Sequence, residues 1–175
     1  MKKLILMALV ALSTFTINAQ SDYSKAIGIR VSPLSNYDMV TASFKTFLTD
    51  AGAIELNLGF GTTKVPGLVG LNQYGTTSIS LSGSYQHHFE IKPVDGLKWF
   101  VGGGAVVMHT SSDYNDYKGV SVGAFPTGGV DYKFKSFPLN VSADYRPTFL
   151  FVRPDDHLFG SFLGDHFGIS ARYTF

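Results

Sequence analysis

Histidine, serine and aspartate stand close together at His109-Thr110-Ser111-Ser112-Asp113. That set could supply a nucleophile, a general base and an orienting carboxylate. A triad is defined by geometry in space, however, and neighbours on an extended strand point to opposite faces. The segment reads as a polar strand end entering a loop. His87 and His88 are adjacent, so their side chains are opposed and cannot form a chelate by themselves. His157 and His166 fall toward the opposite end of the chain's elements. Gly102-Gly103-Gly104 lacks the strand–loop–helix setting and following lysine of a phosphate-binding loop. There is no cysteine, which excludes thiolate chemistry, a disulfide framework and a lipidated cysteine. The residue types therefore assign no catalytic group, no metal ligand and no cofactor.

Charge offers a second kind of chemistry. Arg30, Lys45, Glu55, Asp131, Lys133, Asp144, Arg146 and Arg172 all fall on the polar parity of alternating segments. Lys45 and Glu55 flank the tight turn Thr49–Gly52 at equal distances, which places them opposite each other in a hairpin. Asp144 and Arg172 belong at similar heights on neighbouring strands, with Asp131 and Lys133 entering from the strand before. Charges withdrawn from water persist only when paired. The expectation is one hydrogen-bonded charge network filling half of an enclosed lumen.

Alternation and turn residues give eight strands to hold that network. They run over 25–33, 39–48, 53–62, 76–91, 97–109, 117–134, 139–152 and 166–175. In the third, Ile54, Leu56, Leu58 and Phe60 oppose Glu55, Asn57, Gly59 and Gly61. The fourth carries a ladder of Ser78, Ser80, Ser82, Ser84 and Gln86. Pro126 lacks a donor, so a bulge or local kink is expected there in the sixth strand. Connections two, four and six are short. The others are longer on average and more polar, including 64–74 and the loop with Asp113, Tyr114, Asp116 and Tyr117. Trp99, Tyr132, Phe134, Tyr173 and Phe175 gather at the short-turn ends as one aromatic girdle. A soluble barrel would reverse the two faces, with apolar residues inside. A β-sandwich leaves the girdle and the aromatic terminus without a reason.

Both ends of the sequence agree with a membrane barrel. Lys2 and Lys3 precede the apolar run Leu4–Leu12, and small and polar residues lead to Ala19. That is the layout of a secretory signal peptide, expected over 1–19, with the barrel domain over 20–175. Later apolar runs fall short of the ~20 residues of a spanning helix, so any crossing must use a closed barrel. Nineteen glycines, 15 Phe and 9 Tyr against 15% charged residues suit such a barrel. A formal charge of +1 gives no reason to invoke nucleic acid.

The final strand, HFGISARYTF, alternates and ends on Phe175 after Tyr173, resembling the assembly signal of bacterial outer-membrane barrels. FKTFLTDAGAIELNLGF, VDGLKWFVGGGA and GDHFGISARYTF likewise resemble the small eight-stranded outer-membrane β-barrel proteins. These include the OmpX-like class and the membrane domain of OmpA-like proteins. The resemblance implies an all-β, eight-stranded antiparallel up-and-down transmembrane barrel in a Gram-negative outer membrane. It also implies periplasmic termini, delivery by the barrel assembly machinery through Tyr173 and Phe175, and contact with outer-membrane lipid. The expected role is structural or surface-interacting, non-enzymatic and monomeric, with no cofactor and any extracellular partner met through the loops. A narrow channel for small solutes is the alternative, followed by a lipid A-modifying enzyme with its site at the rim.

Overall fold

The computed structural model describes residues 23–35, 37–66, 73–112, 118–153, 161–164 and 166–175. The expected signal peptide, Asp113, Tyr114, Asp116, Tyr117 and His157 lie outside the described residues. Ten strand segments occur: β1 (Lys25–Val31), β2 (Val40–Phe47), β3 (Gly52–Pro66), β4 (Gln73–Glu90), β5 (Leu97–Ser112), β6 (Gly119–Lys133), β7 (Leu139–Tyr145), β8 (Thr148–Val152), β9 (Phe162–Leu163) and β10 (Phe167–Thr174). β7 with β8 forms one stave, and β9 with β10 another. The result is a closed, antiparallel, up-and-down barrel of eight staves.

Each stave pairs with its sequence neighbour, and β1 closes the ring against β10 through Ile27↔Tyr173 and Ile29↔Ala171. Closure pairs the first and last staves, which would be the two lateral edges of an open sheet. At the seam the Lys25 N–H donates to the Phe175 carbonyl (2.9 Å), and the Phe175 N–H donates to the Lys25 carbonyl (2.8 Å). The tight turn after β2 has the expected register, Lys45↔Glu55 and Phe47↔Ala53. Thr49 Oγ1 accepts the Gly52 N–H at 2.9 Å, so the turn is fastened by its own side chain. The first described residues (Tyr23 and Ser24), Phe175 and the turns joining β2–β3, β4–β5 and β6–β7 lie at one end of the barrel, hereafter the turn end. The opposite end is the loop end.

Strand lengths differ from expectation at the loop end. The ladder of β3 with β4 continues through Thr63↔Thr76 and Val65↔Tyr74 to Pro66↔Gln73, shortening the 64–74 loop. Threonine and valine favour extended backbone, and pairing carried past the Gly-Thr-Thr sequence. The expected seventh strand is interrupted at Arg146-Pro147. Pairing of β6 with β7 ends at Gly128↔Tyr145, and pairing with β8 resumes at Ala124↔Phe149. Pro126 and Pro147 thus sit in the same gap, neither having an N–H to donate. The bulge expected at Pro126 itself is absent on the β5 side, where Pro126↔Gly103 keeps register. The irregularity lies on the β8 side, as a shift between Val122 and Gly123.

The two faces of the wall are chemically opposite. Ile27, Ile29, Leu56, Leu58, Ile79, Leu81, Val107, Val120, Phe149 and Ile169 are among the large apolar side chains exposed on the outside. The inside holds Arg30, Thr41, Ser43, Lys45, Glu55, Ser80, Gln86, Asp131, Ser142, Asp144 and Arg172, all buried. This is the inverse of a water-soluble barrel.

Candidate functional site: the charged lumen

The buried side chains form tiers that ascend from the turn end. In the first tier, Lys45 Nζ donates to Asp131 Oδ2 at 2.6 Å and lies 2.9 Å from His88 Nε2. The Asn140 amide donates to the other Asp131 oxygen. The Lys45 ammonium also lies 5.0 Å from the Phe100 ring centre, where the ring's negative face favours a cation. In the second tier, Glu55 Oε1 meets Arg146 at 2.8 Å and Arg172 at 2.9 Å, while Gln86 Nε2 donates to Glu55 Oε2 at 2.8 Å. Arg172 is held in place by Ser43, Ser142 and Ser170.

The third tier joins the second through Asp144. Arg30 donates to both Asp144 oxygens, from Nε and Nη2, at 2.8–3.1 Å. Arg146 Nε lies 2.7 Å from Asp144 Oδ1. The third donor of Arg30 reaches Asp38 at 3.0 Å, a residue of the β1–β2 loop turned into the barrel mouth. One step higher, the Tyr37 hydroxyl lies 3.0 Å from Thr148 Oγ1 and 3.1 Å from His166 Nδ1. Tyr37 also joins the buried apolar cluster of Val106, Met108, Phe125 and Leu150. The four cations Arg30, Lys45, Arg146 and Arg172 thus face the four carboxylates Asp38, Glu55, Asp131 and Asp144. Lys98, in register with Asp131 and Glu90, is buried as well.

Such an arrangement ties facing parts of the wall together across the lumen. Fork-shaped guanidinium–carboxylate pairs are geometrically demanding, and Arg30, Lys45, Arg146 and Arg172 each reach at least one partner on a strand distant in sequence. Glycine makes room for the crossings. A Cβ at Gly168 would fall 2.4 Å from the Arg30 guanidinium, and one at Gly129 would fall 2.9 Å from the Phe100 ring.

Seven of the eight charges singled out from sequence meet in the lumen, with altered partners. Lys45 and Glu55 are register neighbours, yet Lys45 ion-pairs with Asp131 and Glu55 with Arg146 and Arg172. Asp144 pairs with Arg30 and Arg146 rather than with Arg172, because Arg172 is in register with Asn140, nearer the turn end. Lys133 stands apart. At the rim its ammonium donates to the carbonyls of Phe134 and Phe137 in the β6–β7 turn, which lie closer than the lumen carboxylates. Asp38 and Tyr37 escaped the sequence reading because a loop has no alternation to reveal an inward residue. Gln86 was visible only as a member of the polar ladder of the fourth strand.

The other sequence candidates fall in separate places. His88 points inward and His87 outward, where its ring packs edge-on against Phe89 at 4.8 Å. Thr110 faces the lumen and meets Ser78 at 3.1 Å, while His109 and Ser111 face out. Among the described residues there is no cluster of three or more His, Asp or Glu suited to a metal ion. Trp99, Tyr173 and Phe175 are exposed on the outer face at the turn end. Trp99 stacks on Phe89 at 4.4 Å, and Tyr132, Phe134 and Phe137 form a continuous run of ring contacts at 4.7 Å. In the exposed turns beyond these rings, Lys135 meets Asp95 at 2.6 Å and holds its carboxyl below the usual aspartate range.

No protein-family model matches the sequence, and no curated protein matches it. Among solved structures, the chain is similar to the crystal structure of Neisserial surface protein A, at 15% identity and a TM-score of 0.46. The match covers 86% of this chain and 93% of that one.

Proposed function

We propose that this chain is an integral outer-membrane β-barrel with a structural or surface-interaction role, its lumen plugged by charged and polar side chains. The observation that carries the reading is the inverted wall. A closed sheet exposes rows of Ile, Leu, Val and Phe outward while burying Arg30, Lys45, Arg146 and Arg172 with their carboxylates inside. Water rewards the opposite arrangement, and a hydrocarbon surround rewards this one. In this reading a cleaved signal over residues 1–19 exports the chain, and the assembly machinery recognises Tyr173 and Phe175. Both termini lie in the periplasm. The aromatic run of Trp99, Tyr132 and Phe134 sits at the periplasmic membrane interface, and any partner is met through the outer loops. The role is read as non-enzymatic.

Planar-bilayer recording tests the plug. The expected outcome is a folded, heat-modifiable barrel that gives no steady conductance steps at moderate voltage, because ions meet three successive tiers of mutually satisfied charges. Regular ohmic steps from the unmodified protein would replace this reading with that of a narrow channel. Lipid A mass spectra should be identical with and without the protein; an altered acyl pattern would restore the rim enzyme.

A further inference from the structure

The turn joining β4 to β5 encloses space that the charge tiers do not use. A cavity of about 440 Å³ is bounded by residues 90–98 of that hairpin and by Lys135 of the β6–β7 turn. The turn holds its shape through its own backbone. The Ile91 N–H donates to the Leu97 carbonyl (3.0 Å), the Val94 N–H to the Ile91 carbonyl (3.1 Å) and the Leu97 N–H to the Val94 carbonyl (3.2 Å). The Lys133 N–H donates to the Gly96 carbonyl at 2.9 Å and pins the turn to β6. Gly96 has a φ of 81°, a left-handed conformation that suits glycine, and a Cβ there would press on the Lys133 carbonyl oxygen. The cavity is therefore preformed. Its walls carry both signs of charge. Lys98, 5% exposed, stands directly opposite the half-buried Glu90 on the inner parity of the hairpin. Lys92 is exposed in the turn, and the Lys135–Asp95 pair stands at the rim. The carboxylates Asp38, Glu55, Asp131 and Asp144 each have a cationic partner, whereas among the described residues no ion pair engages Glu90 or Lys92.

We propose that this cavity binds a short zwitterionic peptide, its carboxylate held by Lys92 and its ammonium by Glu90. One ligand with both groups satisfies the two unpaired charges at once through charge-assisted hydrogen bonds. Three lysines against two carboxylates leave the lining net cationic, so the peptide carboxylate is the anchoring group. Ile91, Val94 and Leu97 supply apolar wall between the charges, which suits an aliphatic side chain. The volume lies within the range of small-ligand sites, roughly 300–1,000 Å³, and is too small for a folded partner. Entry costs little, because the Lys135–Asp95 pair at the rim stands in water and opens easily. The inner parity of Glu90 and Lys98 turns the site toward the aqueous mouth of the barrel and away from the apolar outer wall. It is thus a small-ligand site at the turn end, opposite the loops that would meet a macromolecular partner.

Titration of the isotope-labelled, folded barrel in lipid nanodiscs, where both ends are open to water, tests this. The probes are alanyl-alanine, its N-acetyl form and its C-terminal amide, read by the backbone amide signals of Asp95, Gly96 and Leu97. Saturable shifts are expected, with alanyl-alanine bound about fivefold more tightly than either blocked form, each of which lacks one charge. No saturable shift, or equal affinity for the zwitterion and a blocked form, overturns the proposal. Glu90→Gln should erase the preference over the acetylated peptide, and Lys92→Gln the preference over the amide. A heat-modifiable, folded Glu90→Gln barrel that keeps its full preference for the zwitterion also overturns it. Tighter binding of glycerophosphoethanolamine than of alanyl-alanine would assign the cavity to a lipid headgroup and overturn the peptide as its ligand.

Discussion

Glu55 is the residue on which the lumen turns. Its carboxylate faces Arg146 and Arg172 and accepts from Gln86, all of them buried. Replacement by alanine leaves two guanidinium groups without their shared counter-charge. Removing one partner of a buried pair typically costs about 3–5 kcal/mol, and Glu55→Ala should destabilise the folded barrel by that order. The urea midpoint of the heat-modifiable band reads the loss, with Glu55→Gln intermediate because it keeps the shape and one acceptor. The double exchange Lys45→Glu with Glu55→Lys is a sharper test of partners. Register alone makes the two residues a cross-strand pair whose exchange restores stability. The observed contacts predict the reverse, since a carboxylate would then face Asp131 and an ammonium would face Arg146 and Arg172. Recovery to near wild-type stability would contradict the geometry described here. The inward side of Lys45 and Glu55 was legible in two-residue alternation. Their partners were not, because Arg146 and Arg172 reach across the lumen by the length of a side chain, a distance that spacing along one strand does not encode. By contrast the exposed Lys135–Asp95 pair stands in water on both sides and is screened there. Asp95→Ala should leave the same midpoint unmoved.

At the scale of the strand, parity decides which side chains meet hydrocarbon. β3 exposes Leu56, Leu58 and Phe60 and buries Glu55 and Asn57, as its alternation dictates. If the outer face lies in lipid, Leu56→Arg should reduce the free energy of insertion by roughly 2–4 kcal/mol. Val94→Arg, in the exposed turn between β4 and β5, should cost little because that site stays at the water boundary. Titrated folding into lipid vesicles measures both, and equal costs would argue that Leu56 does not lie in the bilayer core. Turns at 49–52 and 135–138 could be read from Asp50, Gly52, Ser136 and Pro138, since those residues act locally. The break at Arg146-Pro147 could not be read with the same ease. Pro147 removes one ladder donor by itself, but its placement against Pro126 on the facing stave depends on the register of β6 against β7 and β8. The loop residues Tyr37 and Asp38 were invisible for a related reason, as their burial follows from the whole barrel mouth and not from their own element.

For the whole molecule, everything depends on closing β1 against β10. The last residue takes part directly: its N–H and C=O bond the backbone of Lys25, and Ser24 Oγ donates to the same carbonyl at 3.0 Å. Its ring is 57% exposed on the outer face, so the seam does not use the side chain as core. Backbone and ring therefore have separable duties. Deleting Phe175 removes the terminal rung of the seam together with the ring, whereas Phe175→Ala removes the ring alone. If the ring is what the assembly machinery recognises, both variants should accumulate poorly in the outer membrane of living cells. The alanine variant should nonetheless refold from urea into vesicles with nearly wild-type yield, because its rung of backbone bonds is intact. The deletion should be defective in both settings, having lost hydrogen bonds that hydrocarbon cannot replace. If Phe175→Ala assembles normally in cells, recognition does not reside in that ring, and the terminal aromatic serves only the interfacial girdle. If it fails equally in the purified system, the ring contributes to the stability of the closed barrel itself, and its exposure would have to be explained by contact with lipid at the membrane boundary.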